Sequence, residues 1–296
     1  MSGLNSTNRT SLIKPAGRRK RKEMLAIRDR LREILAEENP MTVRQVFYQA
    51  VSRGIVTKTE NEYKQTVCRL LGIMRRKREI PFRWIADNTR WMRKPRSYSS
   101  LTEALELTKR TYRRALWDNQ TVYVEVWLEK DALAGVLYEV TSLYDVPLMV
   151  TRGYPSLSYL YESAEDLMAS RKPAYIYYLG DFDPSGVHIP EVVERDLREY
   201  APEVEIVFER LAVAPEQIVA WNLPTRPTKR TDTRAKNFGD QSVEVDAIPP
   251  HQLRQLVREA IERHIDQHAL QELKLSEAAE RETLQRLVAR FSEAQE

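Results

Sequence analysis

Apolar positions along this chain follow two successive patterns. Between residues 21 and 38, Met24, Ile27, Leu31, Ile34 and Leu35 recur at three- and four-residue spacing and predict one amphipathic helix, stopped by Asn39-Pro40. Thr42-x-x-Gln45 has the spacing of a capping box and opens a second helix to about Arg53, which Gly54 ends. After a turn at 55–58, a second box, Thr59-x-x-Glu62, opens a longer helix through Tyr63, Val67, Leu70, Leu71 and Met74 to about Lys77. The apolar run at 80–85 then reads as a wing. Helix, turn, longer basic helix and wing is the order of a winged helix-turn-helix. Residues 87–99 read as a basic linker or wing extension with interleaved aromatics, and Ser100-x-x-Glu103 caps a helix to about Trp117.

From Thr121 the period changes to alternating strands and helices. Strands are expected at 122–128, 146–150, 175–179 and 204–208, and helices at 131–143, 156–170 and 189–200. Such alternation with short links implies a parallel sheet covered by helices. Residues 224–240 are rich in Pro, Thr and basic side chains (Arg226, Lys229, Arg230, Arg234, Lys236) and read as a surface loop. A further strand at 242–248 carries Glu244 and Asp246 on one face. Pro249-Pro250 starts a helix, and 271–296 is a charged amphipathic helix. The expected fold class is α/β, with a basic disordered arm at 1–20, a helical winged-helix domain at 21–118, a parallel α/β domain at 119–250 and C-terminal helices at 251–296.

Composition narrows the function classes. The 296 residues are enough for two separately cored domains. No apolar stretch approaches bilayer length and the start has no signal-peptide core, so no membrane partner is expected. A single cysteine, Cys68, excludes an internal disulfide and suits a reducing cytosol. The net charge of +4 conceals an asymmetry: residues 1–118 hold 28 Lys+Arg against 12 Asp+Glu, and residues 119–296 hold 19 against 31. A basic first part suits a polyanion such as double-stranded DNA, and Arg69, Arg75, Arg76, Lys77 and Arg78 cluster on and after the longer helix. An acidic second part would repel nucleic acid unless it binds cations.

Candidate chemistry lies where the strands end. The third strand runs into Gly180-Asp-Phe-Asp-Pro-Ser-Gly186, and Asp181 and Asp183, two apart, face one way on an extended segment and suit a hard cation such as Mg²⁺. Taken alone, this is more simply a polar turn. Glu129 ends the first strand in the same way, and sites in parallel sheets form at that edge.

Glu129 after one strand, Gly153-Tyr-Pro155 after the next and Asp181-x-Asp183-x-x-Gly186 after the third resemble the Toprim domain over roughly residues 121–210. Within that class, Val126-Trp-Leu-Glu129-Lys-Asp-Ala132, Val150-Thr-Arg-Gly-Tyr-Pro155 and Gly180-Asp-Phe-Asp-Pro-Ser-Gly186 look like the topoisomerase VI A subunit and its relative, the meiotic double-strand-break transesterase; 242–248 is similar to that family's late acidic strand. The family carries its catalytic tyrosine in Thr-x-Arg-Asp-x-Tyr-Tyr, and this chain has Thr42-Val-Arg44-Gln-Val-Phe47-Tyr48. The resemblance implies Mg²⁺ at Glu129, Asp181 and Asp183, with Tyr48 attacking a DNA phosphate to leave a 5′ phosphotyrosyl end. Arg44, one turn before Tyr48, would hold the phosphate and favour phenolate. Glu129 is open to either role, metal ligand or acid-base partner. The departures are Gln45 for the family's acid and Phe47 for its first tyrosine; Gln45 leaves open what polarises Tyr48.

The resemblance also implies a homodimer in which the tyrosine of one protomer works with the metal site of the other. Any GHKL-type ATPase would be a separate B subunit, because no phosphate-binding Gly-rich loop is present. A cytoplasmic, nucleoid-associated protein follows, of a reduced bacterial or mobile-element form. Two other functions fit the same features: a hydrolytic Toprim nuclease in which Tyr48 is a core aromatic, and a non-catalytic DNA-binding module that docks a partner. His264 and His268 have i, i+4 spacing but lack a third zinc ligand. Tyr154 and Pro155 read as turn-formers, and Glu244 and Asp246 as either outer partners of the metal or an exposed strand face.

Overall fold

The computed structural model describes residues 19–86, 95–228 and 238–293. The basic arm before Arg19, residues 87–94 of the 87–99 segment and Lys229, Arg230, Arg234 and Lys236 lie outside them. The helices are α1 (Arg21–Glu37), α2 (Val43–Ser52), α3 (Arg69–Arg76), α4 (Leu101–Thr111), α5 (Ala134–Thr141), α6 (Leu157–Ser170), α7 (Pro184–Tyr200), α8 (Pro215–Ala220), α9 (Pro250–Glu262) and α10 (Gln267–Glu293). A π-helical stretch, Glu62–Cys68, leads directly into α3. Strands β1 (Tyr123–Leu128), β2 (Leu148–Val150), β3 (Ala174–Leu179) and β4 (Ile206–Ala212) form one parallel sheet in the order β2-β1-β3-β4. Short β5 (Arg226–Pro227) and β6 (Gln241–Ser242) pair antiparallel. The molecule is thus mixed α/β around a four-stranded parallel sheet.

Side-chain alternation fixes the layers. Val124, Val126 and Leu128 of β1 and Tyr177 and Leu179 of β3 enter one apolar cluster, while Trp127, Ile176 and Tyr178 enter a second with Leu160, Leu167, Val193 and Leu197 of α6 and α7. Burial of each such Val, Leu or Ile contributes about 1.5–3 kcal/mol. The first cluster does not stop at the sheet: it runs without a break from Ile27 and Leu31 through Tyr48 and Met74 to Val126, Leu137 and Val257. The first cluster thus joins the helical region to one face of the sheet. Arg254 of α9 reinforces the join, donating to the Pro40 carbonyl at 3.1 Å and pairing with Glu38 at 3.5 Å.

Local signals explain most boundaries. Thr42 accepts from the Gln45 N–H at 3.0 Å while the Gln45 side chain accepts from the Thr42 N–H at 3.0 Å, so the expected capping box closes. Thr59 accepts from the Glu62 N–H at 3.2 Å. Three expectations are corrected. The run at 80–85 is a single 3-10 turn, Phe82–Trp84, with an isolated bridge from Ile85 to Met41, because Pro81 removes a strand donor while Ile80 and Ile85 bury. Helix α4 ends at Thr111 instead of near Trp117, because Glu280 and Arg281 of α10 take the Tyr112 hydroxyl and carbonyl, both at 2.6 Å. Helix α7 begins at Pro184, five residues earlier than expected, capped by Asp183 with Pro184 in its first turn.

Candidate functional site

Register brings the two motifs together. Leu128 pairs with Leu179, so Glu129 and Gly180-Asp181 leave neighbouring strands at the same sheet edge. The Asp181 N–H donates to Glu129 Oε2 at 2.9 Å. A Cβ on Gly180 would lie 2.6 Å from that same oxygen, and one on Gly186 would lie 2.2 Å from the Asp181 carbonyl oxygen. Both glycines are therefore required by close approach. Phe182 exchanges backbone hydrogen bonds with Val243 at 2.8 and 2.9 Å, drawing residues 241–247 alongside. That segment is not the expected strand beyond Ser242: Val245–Ala247 is a 3-10 turn whose Val245 N–H donates to Asp181 Oδ1 at 2.9 Å. The turn still sends Glu244 and Asp246 to one place.

Lys130 occupies that place. Its Nζ lies 2.9 Å from Asp181 Oδ1, 2.9 Å from Asp246 Oδ2 and 3.5 Å from Glu244 Oε2. Glu244 also receives Arg44 at 3.6 Å and Arg226 at 3.7 Å, and its charge acts on the Tyr48 hydroxyl. Arg44 of α2 and Asp181 are thus joined within one chain, through Glu244 and Lys130. Tyr48 itself is only 2% exposed, packed beside Phe47 with the Lys58 ammonium 5.1 Å from its ring centroid. Arg44 stacks over Tyr63 at 4.1 Å, and Gln45 is consumed by the α2 cap.

Burial governs the protonation of this edge. It pushes the Glu129 carboxyl up to about 7, helped by the neighbouring Asp181 charge, and raises Asp181 despite Lys130. Burial alone would lower the Lys130 ammonium, but Asp246, Asp181 and Glu244 outweigh it and raise the pKa. Desolvation raises the Tyr48 phenol, and the Glu244 charge adds to this.

The donor set suits a divalent cation in part. Glu129 Oε1 and Asp181 Oδ2 have no protein hydrogen-bond donor among the described residues, so each keeps an oxygen for a hard cation. Asp183 is committed elsewhere: Oδ1 accepts from the Gly186 N–H at 2.8 Å and Oδ2 meets Arg226 at 3.2 Å. Among the described residues no three His, Cys, Asp or Glu side chains form a ready-made metal cage. Glu129 and Asp181 fit such an ion directly, and Asp183 only by giving up Arg226.

Arg210 carried no signal in the sequence beyond being a lone arginine in an apolar strand. It lies on β4 and donates to four carbonyls of the acidic loop and its neighbours: Val213 at 3.0 Å, Gly186 at 2.9 Å, Gly180 at 3.2 Å and Asp181 at 2.5 Å. Pro190, which cannot donate to Gly186, leaves that carbonyl free for it.

The other candidates are dispersed. Arg69, Arg76, Lys77 and Arg78 are exposed, and Arg75 is half-buried. His264 contacts the Tyr177 hydroxyl at 2.5 Å and His268 lies beside Glu272, so they do not converge. Tyr154 bonds His188 at 2.7 Å in the turn after β2. No family model matches this chain, and no curated protein matches it significantly. Among the described residues no helix is long and apolar enough to cross a membrane.

Proposed function

We propose that this chain breaks DNA phosphodiesters as a winged-helix and Toprim protein like the topoisomerase VI A family. In this reading Tyr48 is the nucleophile, Mg²⁺ is held by Glu129 and Asp181 with Asp183, and the backbone of double-stranded DNA lies on Arg69, Arg75, Arg76, Lys77 and Arg78. The single observation that carries it is the ionic network in which Arg44, on the same helix as Tyr48, meets Glu244, and Glu244 reaches Asp181 through Lys130. A phenol needs a base to attack at neutral pH, and Glu244 is that base.

In the transfer, the Tyr48 oxygen bonds to phosphorus and its proton passes to Glu244. The bond from phosphorus to the 3′ oxygen breaks, and that oxygen takes its proton from water. The product is a 5′ phosphotyrosyl end. Bound Mg²⁺ would stabilise charge developing on the phosphate. Arg44, already beside Glu244, is positioned to hold the phosphate. A homodimer that cuts both strands, a separate GHKL-type ATPase and a nucleoid-associated location rest on the resemblance alone.

The burial of Tyr48 favours a second reading, in which water is the nucleophile and Tyr48 only ties the helical region to the sheet edge. Incubation with DNA and Mg²⁺ followed by denaturing electrophoresis separates the two. Covalent protein-DNA complexes that disappear with EDTA or in Tyr48→Phe support the transesterase. Undiminished cleavage by Tyr48→Phe selects hydrolysis, and duplex binding without cutting under any condition selects a docking module.

A further inference from the structure

Phe82 follows the basic helix α3 and begins the turn Phe82–Trp84. The turn is held at both ends: Ile80 and Ile85 are buried, the Trp84 carbonyl accepts from the Met41 N–H at 3.0 Å, and the Ala86 N–H donates to the Met41 carbonyl at 2.8 Å. Pro81, at φ −60°, stiffens the approach. Between these anchors the Phe82 ring stands 59% exposed. The Arg75 guanidinium lies 4.9 Å from its centroid, and Arg76, Lys77, Arg78 and Arg83, close to it in sequence, are exposed.

An apolar ring in a rigid turn gains free energy by leaving water. An apolar protein partner covering it would have to strip water from the surrounding cations. DNA meets both demands, offering phosphates to the cations and the π-face of a base to the ring. Bases in regular duplex are already stacked, so the ring reaches one only where a step is kinked or unpaired.

We propose that Phe82 is a base-stacking residue and that the DNA this chain prefers is locally unstacked. This rests on the assignment of the basic helix to DNA above. The test measures binding of the full chain to a regular duplex and to the same duplex carrying an unpaired 2-aminopurine, at fixed salt. The wild type is expected to bind the distorted duplex about tenfold more tightly and to quench the probe's fluorescence. Phe82→Ala should bind both DNAs equally, with regular-duplex affinity unchanged, and Phe82→Trp should restore the preference. A preference that survives in Phe82→Ala, or equal binding of both DNAs by the wild type, overturns the stacking role and leaves the DNA assignment standing. Failure of the wild type to bind either DNA overturns both together.

Discussion

Lys130 Nζ lies 2.9 Å from Asp181 Oδ1 and reaches Asp246 and Glu244 from the same point, so a single half-buried lysine neutralises carboxylates from two distant parts of the chain. Removing one partner of a buried ionic cluster leaves the others uncompensated, at a cost of about 3–5 kcal/mol. Lys130→Met should therefore lower the melting temperature markedly. If the same carboxylates attract a divalent cation, Mg²⁺ should raise the variant's melting temperature more than the wild type's. Thermal unfolding with and without Mg²⁺ measures both effects, and a variant as stable as the wild type would sink the clamp.

The sheet and its edge were legible because their signals are local. Apolar runs ending in Glu129 and in Asp181-Phe-Asp183 mark strand ends, and the capping boxes at Thr42 and Thr59 mark helix starts. What joins them was not legible. Lys130 meets Glu244 across 114 positions and Thr42 meets Asp246 across 204, and no pattern of neighbours encodes such pairs. The helix was expected only from 189, yet α7 starts at Pro184 and keeps Pro190 in its interior because Arg210 takes the Gly186 carbonyl that Pro190 leaves unbonded. Glu244 and Asp246 read as a strand face because alternation was assumed; a 3-10 turn presents them together as well.

The glycines of the acidic loop give a graded test. An added methyl at Gly180 meets two side chains, the Glu129 carboxylate and the buried Tyr178 ring, whereas one at Gly186 meets the Asp181 backbone at still closer range. Gly180→Ala should cost about 1–3 kcal/mol, as overpacking does, and should weaken Mn²⁺ binding by displacing Glu129. Gly186→Ala should cost more, because α7 itself must shift. Denaturant unfolding combined with Mn²⁺ titration checks the order, and equal losses in the two variants would contradict it.

Exposed basic side chains on and after α3 predict a salt signature. For every phosphate that the protein no longer neutralises, the slope of log affinity against log salt falls by about one. Replacing Arg76, Lys77 and Arg78 together with Gln should flatten duplex binding accordingly and leave the melting temperature nearly unchanged, since none of the three is buried. An unchanged slope would move the DNA surface elsewhere on the chain.

Glu125 carries a pH prediction that is independent of the site. It is 2% exposed on the β1 face that packs on α6, where its carboxylate accepts from Trp127 Nε1 at 2.7 Å and from the Ser163 and Tyr123 hydroxyls, both at 3.2 Å. Burial outweighs these bonds and pushes its pKa up from 4.5 to about 7. Between those values the folded chain keeps a proton that the unfolded chain releases, so stability falls as pH rises through that window and levels off above it. The loss should be roughly 1–3 kcal/mol. Glu125→Gln, which has no proton to lose, should remove this part of the pH dependence and be more stable than the wild type near pH 8 relative to its value near pH 5. Chemical unfolding of both proteins across that range measures the difference, and parallel curves would mean that Glu125 is ionised in the folded chain already at low pH.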